Sequence, residues 1–193
     1  NALANSTMRI MGPKYMTAGM GDAGACHPRD NIALRWLAEH YDIGYDLFDT
    51  VMHAREIQAK NLAHFLVEQA GNYIVGEYMP IAIHGKAYKP DVPYCIGSYS
   101  TLVGYYIEEA GLPVVYVDPL ADDQTKVVDC VDAPAVYLWA HNRKVTYEYT
   151  GDQEATKPYC EIKPGSVIVD PWRQLPLDMA DIKVIHYGNT RGR

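Results

Sequence analysis

No C-x-x-C pair occurs in this chain of 193 residues, and its four cysteines, Cys26, Cys95, Cys130 and Cys160, stand far apart. A disulfide framework or a structural zinc site needs thiols at short or regular spacing, so both are poor readings and no metal is expected. No run approaches the roughly 20 apolar residues of a membrane-spanning helix, and nothing reads as a signal peptide. The expectation is the cytoplasm, with no membrane partner. A basic stripe is missing too. The formal net charge is −7, whereas a nucleic-acid surface must cluster Lys and Arg to neutralise phosphates. That excludes a nucleic-acid partner but not a nucleotide, since about two or three basic side chains suffice for one pyrophosphate. Internal repeats and low-complexity tracts are also absent. What remains is 48% hydrophobic and 21% charged, which suits one compact globular domain with a helical extension.

The first 30 residues are rich in Gly and Met and show neither a helical nor a strand period. From Asn31 the pattern predicts an amphipathic helix, with Asp30 as N-cap and Leu34, Leu37 and Ala38 at helical spacing. A longer helix is expected from about Asp46 to Ala70, ended by Gly71, with Phe48, Val51, Met52, Leu62, Phe65 and Leu66 on its buried face. Beyond Gly76 short apolar runs alternate with helix. Strands are expected at Pro80–Ile83, Val114–Val117, Ala135–Leu138, Ser166–Val169 and Ile182–Ile185, and Ser98 caps a helix through Ala110, closed by Gly111. This is the pattern of an α/β fold, a Rossmann-like parallel sheet of about five or six strands flanked by helices and preceded by a helical segment. The division predicted is 1–75, a cysteine loop and helical segment, and 76–193, the sheet domain. Between Arg143 and Glu161 the alternation of Val145, Tyr147 and Tyr149 with polar residues, followed by Gly151-Asp152, predicts an inserted hairpin.

Gly19-Met20-Gly21-Asp22-Ala23-Gly24 satisfies G-x-G-x-x-G. That fingerprint holds a dinucleotide only where it leaves a strand and opens a helix. No strand pattern precedes it, and Cys26-His27-Pro28 follows where the helix should already be running, so the glycines read instead as a loop approaching a ligand closely. Pro28 is expected to hold His27 extended. Cys26, just ahead of a helix start and near Arg29, stands where the helix dipole and a cation favour negative charge. Cysteines are also commonly buried and inert. A Cys26–His27 nucleophile pair or metal site is a weaker reading, because neighbouring side chains in an extended loop point apart and no third ligand has useful spacing.

Gly24-Ala25-Cys26-His27-Pro28-Arg29-Asp30 resembles the G-G-x-C-F-P-K-D motif of the UDP-glucose/GDP-mannose dehydrogenase family. The preceding Gly12-Pro13 to Gly21 stretch is similar to the family's approach to its cysteine. Ile83-His84-Gly85-Lys86-Ala87-Tyr88-Lys89-Pro90-Asp91 resembles the family's G-L-A-F-K-P-D strand end, Val117-Asp118-Pro119 the end of its next strand, and Val169-Asp170-Pro171-Trp172-Arg173 its D-G-R segment. The match runs in order from about Met8 and covers nearly all the chain. It departs at His27, where the family has Phe, at Arg29, where it has Lys, and at Val92-Pro93-Tyr94-Cys95-Ile96, where it has T-D-D-x-R.

The resemblance implies oxidation of a UDP- or GDP-linked sugar's primary alcohol to a carboxylate in two hydride transfers to NAD, an activity of polysaccharide biosynthesis. The aldehyde stage is held on the cysteine as a thiohemiacetal, which is oxidised to a thioester that water cleaves. Carried over by position, Cys26 is the nucleophile and Asp30 orients or activates water. Gly24 lets the sugar approach, and His27, Tyr88 and Lys89 meet its hydroxyls or phosphates. Arg173 binds the nucleotide end, and Arg9 lies one position from the family's substrate-binding arginine. Single basic residues such as Lys89 and Arg173 are otherwise solvated surface. The family's N-terminal NAD domain is expected to be absent, so the chain alone is expected neither to bind NAD nor to turn over without an NAD-domain partner. A homodimer through the long helix is also implied. The competing expectation is a non-catalytic nucleotide-sugar-binding or oligomerisation module of the same fold.

Overall fold

The computed structural model describes residues 17–22, 24–72, 77–143 and 158–188. Helix α1 spans Cys26–His40 and helix α2 Leu47–Ala70. The short strands β1 (Gly71–Asn72) and β2 (Glu77–Tyr78) pair antiparallel. Strand β3 (Ile81–His84) leads through helix α3 (Tyr99–Glu109) to β4 (Val114–Val117), and β5 (Val136–Trp139), β6 (Val167–Asp170) and β7 (Lys183–His186) follow.

The predicted start of the first helix is wrong. It begins at Cys26, not Asn31, with Ala25 as an N-cap that offers no side-chain bond. Pro28 is the reason. In a first turn its missing N–H is one that would stay unbonded anyway, and its fixed φ already suits a helix. Arg29 N bonds Ala25 O at 3.2 Å, so His27 is helical rather than extended and Asp30 lies within the helix rather than capping it. Nor does the expected buried face form, since Ala38 is buried while Leu34 and Leu37 remain 38% and 37% exposed.

Helix α2 matches its prediction closely. Asp46 caps it by accepting from Asp49 N at 2.9 Å, and Gly71, with φ of 104°, follows its last turn. Only its second half packs fully. Ala59, Leu62, Ala63, Leu66 and Ala70 enter a core with α3 and the sheet, while Phe48, Met52 and Phe65 are half-buried and Val51 is exposed. The first half faces α1 instead, where Arg35 meets Asp49 at 2.8 Å.

Strand β4 lies where it was predicted, β3, β5, β6 and β7 each lie one residue later, and the five form one parallel sheet in the order β4-β3-β5-β6-β7. Alternate residues serve opposite faces, as the pleat requires. Ile81, Ile83, Tyr116 and Leu138 meet α2 and α3, while Ala82, Tyr137, Trp139 and Ile168 face Cys160, Ile162 and Leu175. Among the described residues only the β3–β4 connection holds a helix, and the second face is packed by inter-strand segments. Most of the expected hairpin, residues 144–157, lies outside the described residues. The chain leaves β3 to one side for β4 and returns on the other side as β5, so strand order reverses between β3 and β5. A parallel sheet opens its ligand crevice at the carboxyl ends of such a pair.

Leu66, fully buried between α2 and the sheet, tests this packing. Leu66→Ala is expected to lower stability by about 2–5 kcal/mol, read from the urea unfolding midpoint.

Candidate functional site

The crevice at the β3/β5 switch is filled by the protein's own side chains. Asp118, fully buried at the end of β4, accepts from Lys86 N and Ala87 N at 2.9 Å each and from Leu120 N at 3.2 Å. In a dinucleotide-binding sheet an acid near this place holds a ribose. Here its oxygens are engaged in folding the loop after β3. Behind that loop His84 stacks on Trp139 at 4.1 Å and on Tyr159 at 4.8 Å, and its Nε2 accepts from Tyr159 N at 2.9 Å. His141 bridges Ala87 O at 2.9 Å and the Tyr159 hydroxyl at 3.2 Å. Gly85, with φ of 110°, permits this closeness, because a Cβ there would lie 2.5 Å from the His141 ring. Burial pushes His84 down to about 3, with the neighbouring His141 adding to the effect. Burial also lowers His141, against the opposing pull of its bond to Ala87 and of Asp118. Both rings are therefore neutral at ordinary pH.

The cysteine loop is docked beside this edge. Gly24 is buried with φ of 80°, and a Cβ there would sit 3.3 Å from the Tyr88 ring. Lys89 Nζ lies 5.3 Å from the centre of the same ring. A Cβ on Gly97 would meet Ala25 Cα at 2.6 Å, one on Gly19 would meet Trp172 at 2.6 Å, and Gly21 lies equally tight against Tyr99. Asp22 pairs with Arg55 of α2 at 2.6 Å. A helix does open just after Gly24, contrary to expectation, yet the glycines of the G-x-G-x-x-G stretch face aromatic side chains rather than forming an open phosphate cradle.

Because α1 starts at Cys26, the thiol and the Asp30 carboxylate are one helical turn apart on one face. Cys26 is exposed. Asp30 accepts from Arg29 Nε at 2.8 Å, and that bond, followed by the charges of Asp30 and Cys26, raises the Arg29 guanidinium further. His27 is exposed and contributes its carbonyl to Asn31 Nδ2 at 2.8 Å. Arg173 is exposed with φ of 56° and follows Trp172. The turn that carries it is held by Asp170, which accepts from the backbone N of Trp172, Arg173, Gln174 and Leu175 at 2.7–3.0 Å. Gly24, Tyr88 and Lys89 are thus brought together, with Cys26 and Asp30 on the helix that follows, while Arg173 sits at the other end of the docked loop. Arg9 lies outside the described residues.

A cleft of about 390 Å³ opens between Gly19-Met20-Gly21, Gln58 and Asn61 of α2, Tyr99 and Tyr187. Sequence reasoning missed these last four. Gln58 and Asn61 stand three apart on a long helix, the only signal available, and many solvated helix positions share it. Among the described residues no cluster of three His, Cys, Asp or Glu side chains could hold a metal.

Gly24→Ala is expected to strain a positive φ and press on Tyr88, loosening the loop, which faster hydrogen exchange across residues 19–25 would report. His84 ordinarily titrates at 6.5 and here at about 3, so in that window the unfolded chain binds more protons than the folded one. Its contribution is intact above pH 6.5 and is lost as pH falls toward 3. The slope is up to about 1.4 kcal/mol per pH unit. Urea midpoints across that range are expected to fall less steeply in His84→Phe; an unchanged slope would remove His84 as the cause.

No family model matches the chain. It is similar to the UDP-glucose 6-dehydrogenase of Rhizobium meliloti (strain 1021), 27% identical over 123 residues, which is 63% of this chain and 28% of that protein. It is also similar to the UDP-glucose 6-dehydrogenase TuaD of Bacillus subtilis (strain 168), 25% identical over 118 residues, 61% of this chain and 25% of that protein. The chain therefore spans about a quarter of the length of these curated relatives. In fold it is similar to the GDP-mannose dehydrogenase of Pseudomonas aeruginosa, solved as a ternary complex, with a TM-score of 0.61 and 13% identity over 95% of this chain and 44% of that one. The UDP-D-ManNAc dehydrogenase of Pyrococcus horikoshii gives 0.55 and 21% over 88% of this chain and 40% of that one. The chain is thus similar in sequence to two UDP-glucose 6-dehydrogenases over about three-fifths of its length, and similar in fold to a GDP-mannose dehydrogenase and a UDP-D-ManNAc dehydrogenase.

Proposed function

We propose that this chain is the C-terminal part of a nucleotide-sugar 6-dehydrogenase, with residues 1–75 supplying the cysteine loop and helices and residues 76–193 the nucleotide-sugar-binding domain. The observation that carries the reading is the docking of Gly24 on Tyr88, which sets the loop bearing Cys26 beside Lys89. In this role Cys26 adds to the sugar aldehyde, Asp30 directs the water that releases the acid, and Lys89 and Arg173 balance the charge of the UDP or GDP moiety. His27 lines the sugar side, and Arg9 adds a further cation.

The described residues do not fit a dinucleotide, because Asp118 and the His84–Trp139–Tyr159 stack fill the crevice where one would lie. NAD, the hydride acceptor in this proposal, therefore belongs to a separate NAD-binding domain. Such a domain or a second copy of the chain is the partner suited to the exposed apolar face of Ile32, Trp36, Tyr45 and Leu47, which are 54–68% exposed. A non-catalytic nucleotide-sugar-binding or oligomerisation module is the second reading, favoured by the 390 Å³ cleft, whose lining includes neither Cys26 nor Asp30.

Calorimetric titration with UDP- and GDP-sugars tests both. Binding is expected, and Lys89→Ala should weaken it about tenfold or more, as loss of a charge-assisted bond does. With an NAD-binding domain supplied, sugar-dependent NADH formation is expected and Cys26→Ala should abolish it while leaving binding intact. Turnover that survives loss of the thiol would sink the catalytic reading, and no binding to any nucleotide sugar would sink both.

A further inference from the structure

Two cysteines that the proposed chemistry does not use are folded against each other. Cys130 lies on the segment between β4 and β5, and Cys160 on the segment leading into β6. Both pack in the core on the second face of the sheet, with Ile162, Tyr137 and Ile168. The two stretches of chain lie against each other. The Cys130 thiol lies 3.2 Å from the carbonyl oxygen of Glu161, next to Cys160, and burial, followed by the neighbouring Cys130 thiol, pushes the Cys160 thiol up to about 12. Two segments thus run side by side with their sulfurs between them, and both cysteines are free thiols. Cys130 is half-buried and reachable, whereas Cys160 is only 9% exposed.

We propose that Cys130 and Cys160 form a redox-active dithiol that takes a low-molecular-weight disulfide as oxidant and closes to an intramolecular disulfide. Cys130, the accessible thiol, loses its proton and attacks one sulfur of the oxidant, forming a mixed disulfide and releasing one small thiol. Cys160 then loses its proton and attacks the Cys130 sulfur, which expels the second small thiol. The protein gives up two electrons and two protons, and the oxidant becomes two thiols. The bond closes a loop that carries β5 with Trp139 and His141, and it anchors Tyr159, the neighbour of Cys160. Tyr159 in turn donates its N–H to His84 and shares its hydroxyl with His141. Oxidation therefore tightens the filled crevice at the sheet's carboxyl edge.

The other thiols provide an internal contrast. Cys26 is an exposed free thiol, and Cys95 is buried with its thiol on Pro93 O at 3.6 Å. Incubation of the full chain with glutathione disulfide, blocking of residual thiols and non-reducing peptide mapping read the outcome. The expected products are a dithiothreitol-reversible Cys130–Cys160 cross-link and, at Cys26, only a glutathione adduct. Cys160→Ser should leave Cys130 arrested as its glutathione adduct, and Cys130→Ser should leave Cys160 unmodified. Closing a loop of this size is expected to raise Tm by about 5–10 °C and to slow amide exchange across residues 158–162. A wild-type chain in which Cys130 keeps its glutathione while Cys160 stays alkylatable on unfolding would overturn the proposal. So would a cross-link scrambled equally among all four cysteines. Neither outcome depends on the variants folding.

Discussion

The buried carboxylate of Asp118 is the constraint on which the rest of this edge depends. Its bonds to Lys86 N and Ala87 N turn the chain sharply as it leaves β3, and that turn sets Tyr88 and Lys89. Gly24 rests on Tyr88, and Ala25 on Gly97 at the end of the same loop. The start of α1, with the thiol of Cys26 and the carboxylate of Asp30, is therefore positioned by an aspartate roughly ninety residues away in sequence. Hydrogen bonds to a charged acceptor are worth about 1.5–3 kcal/mol each, and removing this one would also strand buried N–H donors. Lys86 secures the other side, its ammonium bonded to Asp123 O and Thr125 O at 2.8 and 2.7 Å and ion-paired with Asp123, whose carboxyl is held far below the usual carboxylate range.

The same edge shows how one sheet topology can be turned away from binding a dinucleotide. Strand order reverses between β3 and β5, which ordinarily leaves an open crevice. His84, Trp139 and Tyr159 occupy it as a stack, with His141 beneath Gly85. Burial keeps both imidazoles neutral, so the plug carries no charge that would need solvent. A ligand is left the cleft between the glycine loop and α2, where the amides of Gln58 and Asn61 and the rings of Tyr99 and Tyr187 are presented. At the far end of the docked loop, α1 and the first half of α2 keep an apolar surface uncovered, while the second half of α2 is built into the core.

Much of the fold was written locally. The five apolar runs of the sheet, the Asp46 and Ser98 caps and the Gly71 stop all lie within a few residues of what they control, and periodicity and capping act at that range. The cysteine motif and the Tyr88-Lys89-Pro90 segment were likewise readable, since a motif is a run of neighbours. Local signals failed where two of them conflicted. Pro28 reads as an extended-chain residue for His27 and equally as a first-turn residue, and the free N–H positions of a helix start decided for the second.

Tertiary structure alone decided what meets what. Asp118 reaching Lys86 and Ala87, His84 stacking on Trp139 and Tyr159, and the Cys130 thiol reaching Glu161 beside Cys160 all join residues about thirty or more positions apart. No composition or period encodes such encounters. They follow from the order in which parallel strands lie side by side, and that order is fixed by how the two faces of the sheet bury their alternate side chains. The sequence determined which residues are strand, helix and reactive group; packing determined that the glycine loop faces aromatic rings, that the nucleotide-like crevice is closed, and that two distant cysteines became neighbours.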